Sequence, residues 1–537
     1  MTRLSPAALC ACVLLSGCAT DALNTAPQRP DGPWHPDVAA NGALVAPGHG
    51  VRGLALPPGY VLPSDTRLAP REATPDLLPT RAYGLADLID IAQSANPSTR
   101  RAWNAARDAA LGVGIARSAL LPRLTASVVG GYNNSTDSGA NPSISNAGTA
   151  GDVANAGLNG LTTATGGVSN RTHGAGEVQT LGLEWLLFDF GAREATIDAA
   201  RHAQIASNVL FTAAHQKVIY TVATAYYTHA AATARVGLLR QGRDNAQAVL
   251  AAAQARLQQG QGTIVDVAQA RQATAQAELR LVQADGDAQN TLLDLLNAVG
   301  ISPETPLRTA DVGGRPLGPE AGRLSHDMVR QAVARRPDVL AAYATADAAR
   351  AQVSAARRAF LPKIFATGNV AYSTGRLALS SVPGVGSDST PTLNLSSNRF
   401  SSVILGGITV PIFDGGTRAA LLRQAQDRAD SADATLRQTR DESVKQIVVA
   451  ENSLHTGLSA YAASAALLDA SRVSYEAAFA AYRNGAGSIT QATVAQNGLL
   501  DATLARSDAY YAALIAAASL AFATGALGDA GDVPLPR

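Results

Sequence analysis

Apolar and polar residues alternate over four stretches of the chain. In the clearest, Leu181, Leu183, Trp185 and Leu187 fall on one side, with Thr180, Gly182 and Glu184 on the other. Period two with one apolar face predicts a half-buried strand. Residues 124–132, 363–372 and 401–412 repeat the pattern, and the polar, glycine-rich stretches 133–176 and 373–398 separate the partners. The alternation therefore predicts two hairpins, four strands in all. After each hairpin the pattern lengthens. No proline occurs between Leu187 and Ser302 or between Ile412 and Val533, and the composition turns to Ala, Gln, Arg and Leu. Residues 192–258, as one helix, would reach about 100 Å. Tyr461, Leu468, Tyr475 and Tyr482 recur every seven residues, as do Val236, Arg243, Leu250 and Leu257 in the same phase. A strict seven-residue period draws helices into left-handed supercoils and predicts that this face is buried.

The long helices stop at glycine turns, Gly260-Gln261-Gly262-Thr263 and Gly485-Ala486-Gly487-Ser488, where glycine ends one helix and Thr263 or Ser488 caps the next. Returning helices are expected over 264–298 and 489–524. Each half also opens on a helix-like stretch, 85–118 and 325–357, that breaks at Leu-Pro. Landmarks recur at fixed spacing. Pro97 and Pro122 match Pro337 and Pro362, Phe188-Asp189-Phe190-Gly191 matches Phe413-Asp414-Gly415-Gly416, and each of those Phe residues precedes Gly260 or Gly485 by 72. One supersecondary unit used twice explains this. The offset is 240 for the first landmarks and 225 for the later ones, so the first copy holds 15 extra residues, within the loop 133–176.

A strand cannot cross a bilayer with an open edge, because its unpaired backbone groups would each cost several kcal/mol in hydrocarbon. Four strands are too few to close a barrel. Either the four make a soluble sheet, or several chains share one barrel.

The N-terminus bears on the choice. Met1-Thr2-Arg3, a short apolar run and Leu15-Ser16-Gly17-Cys18 have the form of a secretory signal ending in a lipobox, with lipid expected on Cys18; an ordinary signal with an incidental cysteine is the alternative. Ala19 follows, which favours the outer membrane. Cys10 and Cys12 leave with the signal, so no disulfide framework is available. Eleven prolines between Pro27 and Pro79 predict an extended tether. Within it, Gly48-His49-Gly50-Val51-Arg52-Gly53 matches a dinucleotide fingerprint but lacks the flanking strand and helix, and reads as loop.

With paired Leu-Pro strand entries, Phe-Asp-x-Gly exits and the Gly-Thr-Ile-Val-Asp-Val turn at 262–267, residues 83 to 527 resemble the TolC family of outer-membrane efflux and secretion channels, in its lipoprotein form. The resemblance implies an α+β membrane protein: a homotrimer whose chains give four strands each to a 12-stranded β-barrel, continuing into a long α-helical coiled-coil barrel. It implies a signal at 1–17, a lipid-anchored tether at 18–82, repeats at 83–302 and 325–527, a linker at 303–324 and a tail at 528–537. The glycine turns would form the periplasmic tip, where the pore narrows and an adaptor docks, so Gly260, Gly262, Thr263, Asp266, Tyr482, Gly485 and Gly487 are the implied site residues. Three copies of Asp266 would make an anionic ring; as a plain alternative, Asp266 only stabilises a helix N-terminus. Gly487, Gln491 and Val494 depart from the family pattern of an Arg and two acids. Implied partners are outer-membrane lipid, a periplasmic adaptor and an inner-membrane pump of RND, MFS or ABC type. Small-molecule efflux and type I protein secretion are both open.

No catalytic constellation stands out: the eight histidines form no i,i+4 pair and no nucleophile elbow occurs. No cofactor is expected. Net charge of +1 without a basic cluster argues against nucleic acid.

Overall fold

The computed structural model describes residues 37–38, 44–45, 77–138, 169–314, 317, 324–375 and 400–527. The predicted signal, Cys18, the motif at 48–53, most of the tether, the centres of both hairpin loops, much of the linker and the tail lie outside the described residues. The chain divides into two units, 1–75 and 76–537. In the first, β1 (Asp37–Val38) pairs antiparallel with β2 (Leu44–Val45).

The second unit runs through one order of elements twice. After β3 (Ala82–Tyr83) come α1 (Leu85–Ala95), α2 (Pro97–Ser118), β4 (Arg123–Ser138), β5 (Ser169–Phe188), α3 (Ala192–Gln258) and α4 (Ile264–Val299). Then β6 (Arg308–Thr309) pairs parallel with β3 and leads to α5 (His326–Arg335), α6 (Pro337–Arg358), β7 (Lys363–Gly375), β8 (Phe400–Thr409), α7 (Thr417–Arg483) and α8 (Ile489–Ala523). Both α3 and α7 are 67 residues long. The main core lies where α1, α3, α4 and α8 meet, around Leu88, Val222, Leu295 and Leu296. Two tyrosines pin the connecting segment to it, Tyr226 donating to the Ala310 carbonyl at 2.9 Å and Tyr510 to that of Val312 at 2.8 Å.

Four sequence expectations need correction. The loop expected at 133–176 is shorter, because β4 runs on to Ser138 and β5 begins at Ser169. The stretches 85–118 and 325–357 are not single helices: each breaks before its proline, at Asn96 (φ −68°, ψ 124°) and Arg336 (φ −65°, ψ 130°). Proline excludes the helical conformation from the residue before it, while its own fixed φ suits the first position of the next helix. The seven-residue line of α7 is also not the whole seam. A second line, four residues earlier, is buried at Ala429, Leu436, Ser443, Ala450, Gly457 and Ser464, while the expected line is half-buried at Tyr461, Leu468 and Tyr475 and buried at Tyr482; in α3, Val236 is buried and Leu257 exposed. Close packing selects small residues there: a Cβ on Gly457 would come within 3.1 Å of Ala513 Cα. Finally, β8 stops at Thr409, not at 412, since Pro411 has no N–H to give a ladder.

At the second break Arg336 takes over the work of a cap. Its guanidinium donates to the Ala523 carbonyl at the end of α8 (2.8 Å), to Gln446 Oε1 (2.7 Å) and to Asp338 Oδ2 (2.6 Å). Partial burial pushes the Asp338 carboxyl up, but hydrogen bonds from Arg336, its charge and the Val339 N–H outweigh this and hold it below its ordinary 3.8. A carboxyl that titrates lower when folded stabilises fully above its ordinary value and loses that contribution as pH falls through the lowered one. Arg336→Ala, which leaves a helix-end carbonyl unpaired, is expected to cost about 2 kcal/mol. It should also blunt the loss of stability on acidification, both read by thermal unfolding followed by circular dichroism.

Candidate functional site: a two-faced sheet and the hairpin turns

One antiparallel sheet runs in the order β4-β5-β7-β8, and β4 and β8 are its edges. The register sorts its side chains. Leu124 pairs with Leu183, Ala126 with Leu181, Leu181 with Val370, Gly368 with Ile404, and Tyr372 with Phe400. These, with Val128, Trp185 and Ile408, form one apolar face, and it is uncovered: Ile404 is 88% exposed and Val128 70%. The opposite face is mixed, with Val403 and Leu405 exposed on β8 and the polar side chains gathered on β4, β5 and β7. There Arg123 lies across from Glu184, Thr125 from Gly182 and Ser127 from Thr180, the last two hydroxyls 2.6 Å apart, with Thr367 and Asn369 beside them. An apolar face of this size in water would drive aggregation or demand a partner.

At the far end of the long helices the two turns are near copies. Gly260 (φ 71°) and Gly485 (φ 81°) take the left-handed conformation that side chains with a Cβ avoid. The N–H groups of Gln261 and Gly262 donate to the Arg256 carbonyl (2.8 and 3.1 Å), and those of Ala486 and Gly487 to that of Ala481 (2.9 and 3.1 Å). A Cβ on Gly262 or Gly487 would lie 3.1 Å from the backbone nitrogen of Leu257 or Tyr482. Each turn then starts the returning helix with a reciprocal cap. Thr263 Oγ1 accepts from the Asp266 N–H (3.2 Å) while Asp266 Oδ2 accepts from the Thr263 N–H (2.9 Å), and Ser488 with Gln491 does the same at 3.2 Å both ways. Asp266 and Gln491 thus hold one position, and only the first brings a charge.

Tyr482 is 1% exposed, packed with Val249, Ala253, Val267, Ala270, Ile489 and Ala492 between the two hairpins. Burial, and then the charge of Asp266, raise its phenol above 10.0, with Arg256 opposing them. Arg256, which the sequence reading did not single out, stacks 4.7 Å from the centre of the Tyr482 ring. It donates to the carbonyls of Tyr482 (2.7 Å) and Gln261 (3.0 Å), so one side chain joins both turns. Its only sequence signal is a basic residue in the last turn of a helix. Ile264, Val265 and Val494 leave exposed apolar surface beside the turns. Among the described residues no group of metal-ligating side chains converges, and no helix is long and apolar enough to cross a membrane.

Long helical hairpins carrying a sheet with an uncovered apolar face make up the second unit. Residues 88–301 and 328–526 match the model of the outer membrane efflux protein family, and the chain belongs to that family. Protein CyaE of Bordetella pertussis is 28% identical over 510 residues, 92% of this chain and 96% of that protein. Outer membrane protein OprJ of Pseudomonas aeruginosa is 30% identical over 313 residues, 56% of this chain and 60% of that one. Cation efflux system protein CusC of Escherichia coli is 25% identical over 342 residues, 63% of this chain and 70% of that one. A solved structure of CusC superposes with a TM-score of 0.66 at 20% identity, covering 85% of this chain and 99% of that chain. The protein is an outer-membrane transport protein.

A β-branched side chain at a left-handed turn position costs on the order of 1–2 kcal/mol. Gly260→Val or Gly485→Val is therefore expected to speed hydrogen exchange of the amides in its own turn about tenfold, while exchange in β5 and β7 stays unchanged.

Proposed function

We propose that three copies of this chain close a 12-stranded barrel in the outer membrane, above a periplasmic barrel of their long helices. As the channel of a tripartite system, the trimer would pass small molecules from an inner-membrane pump and a periplasmic adaptor across the outer membrane. The observation that carries this is the pair of unpaired edges, β4 and β8, on a sheet with one uncovered apolar face. In hydrocarbon both edges must be paired, and joining β8 of one copy to β4 of the next satisfies them without a new element. CusC, whose name describes a cation efflux system protein, supports small-solute export. In this reading the repeats span 83–302 and 325–527, and lipid on Cys18 anchors the tether 18–82. The turns at Gly260, Gly262, Thr263, Gly485 and Gly487 form the periplasmic tip, with Tyr482 in its core and Ile264, Val265 and Val494 offered to the adaptor.

Mass measurement of the detergent-extracted protein tests the assembly and the anchor together: three copies and acyl mass on Cys18 are expected, and a stable monomer would sink the barrel. At the tip, Asp266 serves the cap and also brings three carboxylates close to the axis. Asp266→Asn keeps an acceptor for the cap, as Gln491 does, and is expected to weaken cation preference in bilayer recordings under a KCl gradient. An unchanged reversal potential would remove Asp266 from the constriction.

A further inference from the structure

The end of the sheet that meets the helices is basic. The entering and leaving segments, residues 117–123, 184–194, 357–363 and 409–418, hold seven Lys or Arg against four Asp or Glu, in a chain whose net charge is only +1. Asp189–Arg193 (3.1 Å) and Asp414–Arg418 (3.5 Å) are ion pairs, and Arg123 also has a partner, so the excess is one of net charge. Two of the seven cations occupy matching places. Arg123 and Lys363 are the first residues of β4 and β7, and they are 240 apart, the same offset as Pro97 and Pro337.

The register puts both on the polar face. Arg123 is opposite Glu184, Glu184 is opposite Thr367, and Lys363 lies an even number of residues from Thr367, so all four project to one side of the sheet. Both cations are exposed. The apolar face is the one suited to lipid, which leaves the polar face to the interior of a closed barrel.

We propose that Arg123 and Lys363 form a basic ring where the helical conduit opens into the barrel, and that this ring favours anionic solutes. The inference rests on the trimeric-barrel reading, which turns two cations per chain into six around one axis, against three copies of Glu184. A wall of low dielectric focuses such a field into the lumen, and its reach, about 10 Å at 0.1 M salt and about 3 Å at 1 M, makes the preference salt-dependent.

Two measurements on the full-length protein test it. In planar bilayers under a KCl gradient near 0.1 M, Lys363→Glu is expected to lower the chloride-to-potassium permeability ratio at least twofold, with the difference vanishing near 1 M; an unchanged ratio at low salt overturns the ring. In membrane vesicles, Thr125→Cys, next to Arg123 on the polar face, should react with an anionic sulfonate thiol reagent at least threefold faster than with a cationic reagent of the same size. Adding Lys363→Glu should erase that bias, and equal rates before that change overturn the ring whether or not currents are recorded. Val128→Cys, on the apolar face, should stay unlabelled by either; reactive Val128→Cys with protected Thr125→Cys would invert the assignment of faces. A stable monomer by mass measurement refutes the barrel and the ring with it, whereas a trimer with equal labelling rates refutes the ring alone.

Discussion

The pairing of backbone groups at the two edges of the sheet is the constraint on which the proposed assembly turns. A four-stranded sheet leaves two rows of N–H and C=O groups unpaired, and in lipid each such group costs several kcal/mol. In the proposed barrel that cost would fall on β4 and β8, the edges of a sheet with one uncovered apolar face, and further copies would be needed to remove it. The recurring order of elements suits the same constraint. Duplicating a hairpin with its flanking helices doubles the strands supplied per chain and keeps the helices beneath them in register with the strands.

The junction between sheet and helices shows how that register is held. Asp189 is 3% exposed, accepts from the N–H of Arg193 at 3.0 Å and pairs with its guanidinium. Arg193 in turn donates to the Ala119 carbonyl at 2.8 Å, and Arg358 donates to that of Gly191 at 2.7 Å. The Phe-Asp-x-Gly exit is thus a clamp, tying the end of one strand to the helix that precedes its partner, with a left-handed glycine making the corner.

Much of this was legible beforehand because it rests on local rules. Alternation at 180–187 gave a strand, the absence of proline gave two long helices, the first at its full 192–258, and Thr263 and Ser488 could be read as caps from the glycine turns before them. What was illegible depends on neighbours distant in sequence. The α7 seam runs through Ser443, Gly457 and Ser464, residues that no hydropathy pattern marks, because its logic is closeness of backbones and not apolar area. Arg256 looked like an ordinary helix-end cation until Tyr482, 226 residues on, arrived beside it. The breaks before Pro97 and Pro337 were local, and the rule for the residue before proline suffices to find them.

The regular seam of the long helices also makes the protein a ruler. Adding one residue to α7 would rotate everything beyond it by about 100° and take Ala450, Gly457 and Ser464 off the contact line. Removing seven would keep the phase but shorten the rod by about 10.5 Å, and only if α3 and both returning helices lost the same length. Evolution of such a rod is therefore quantised: its length can change in steps of a heptad taken four times over, or hardly at all. The distance the rod bridges is fixed less by any one residue than by this arithmetic of turns.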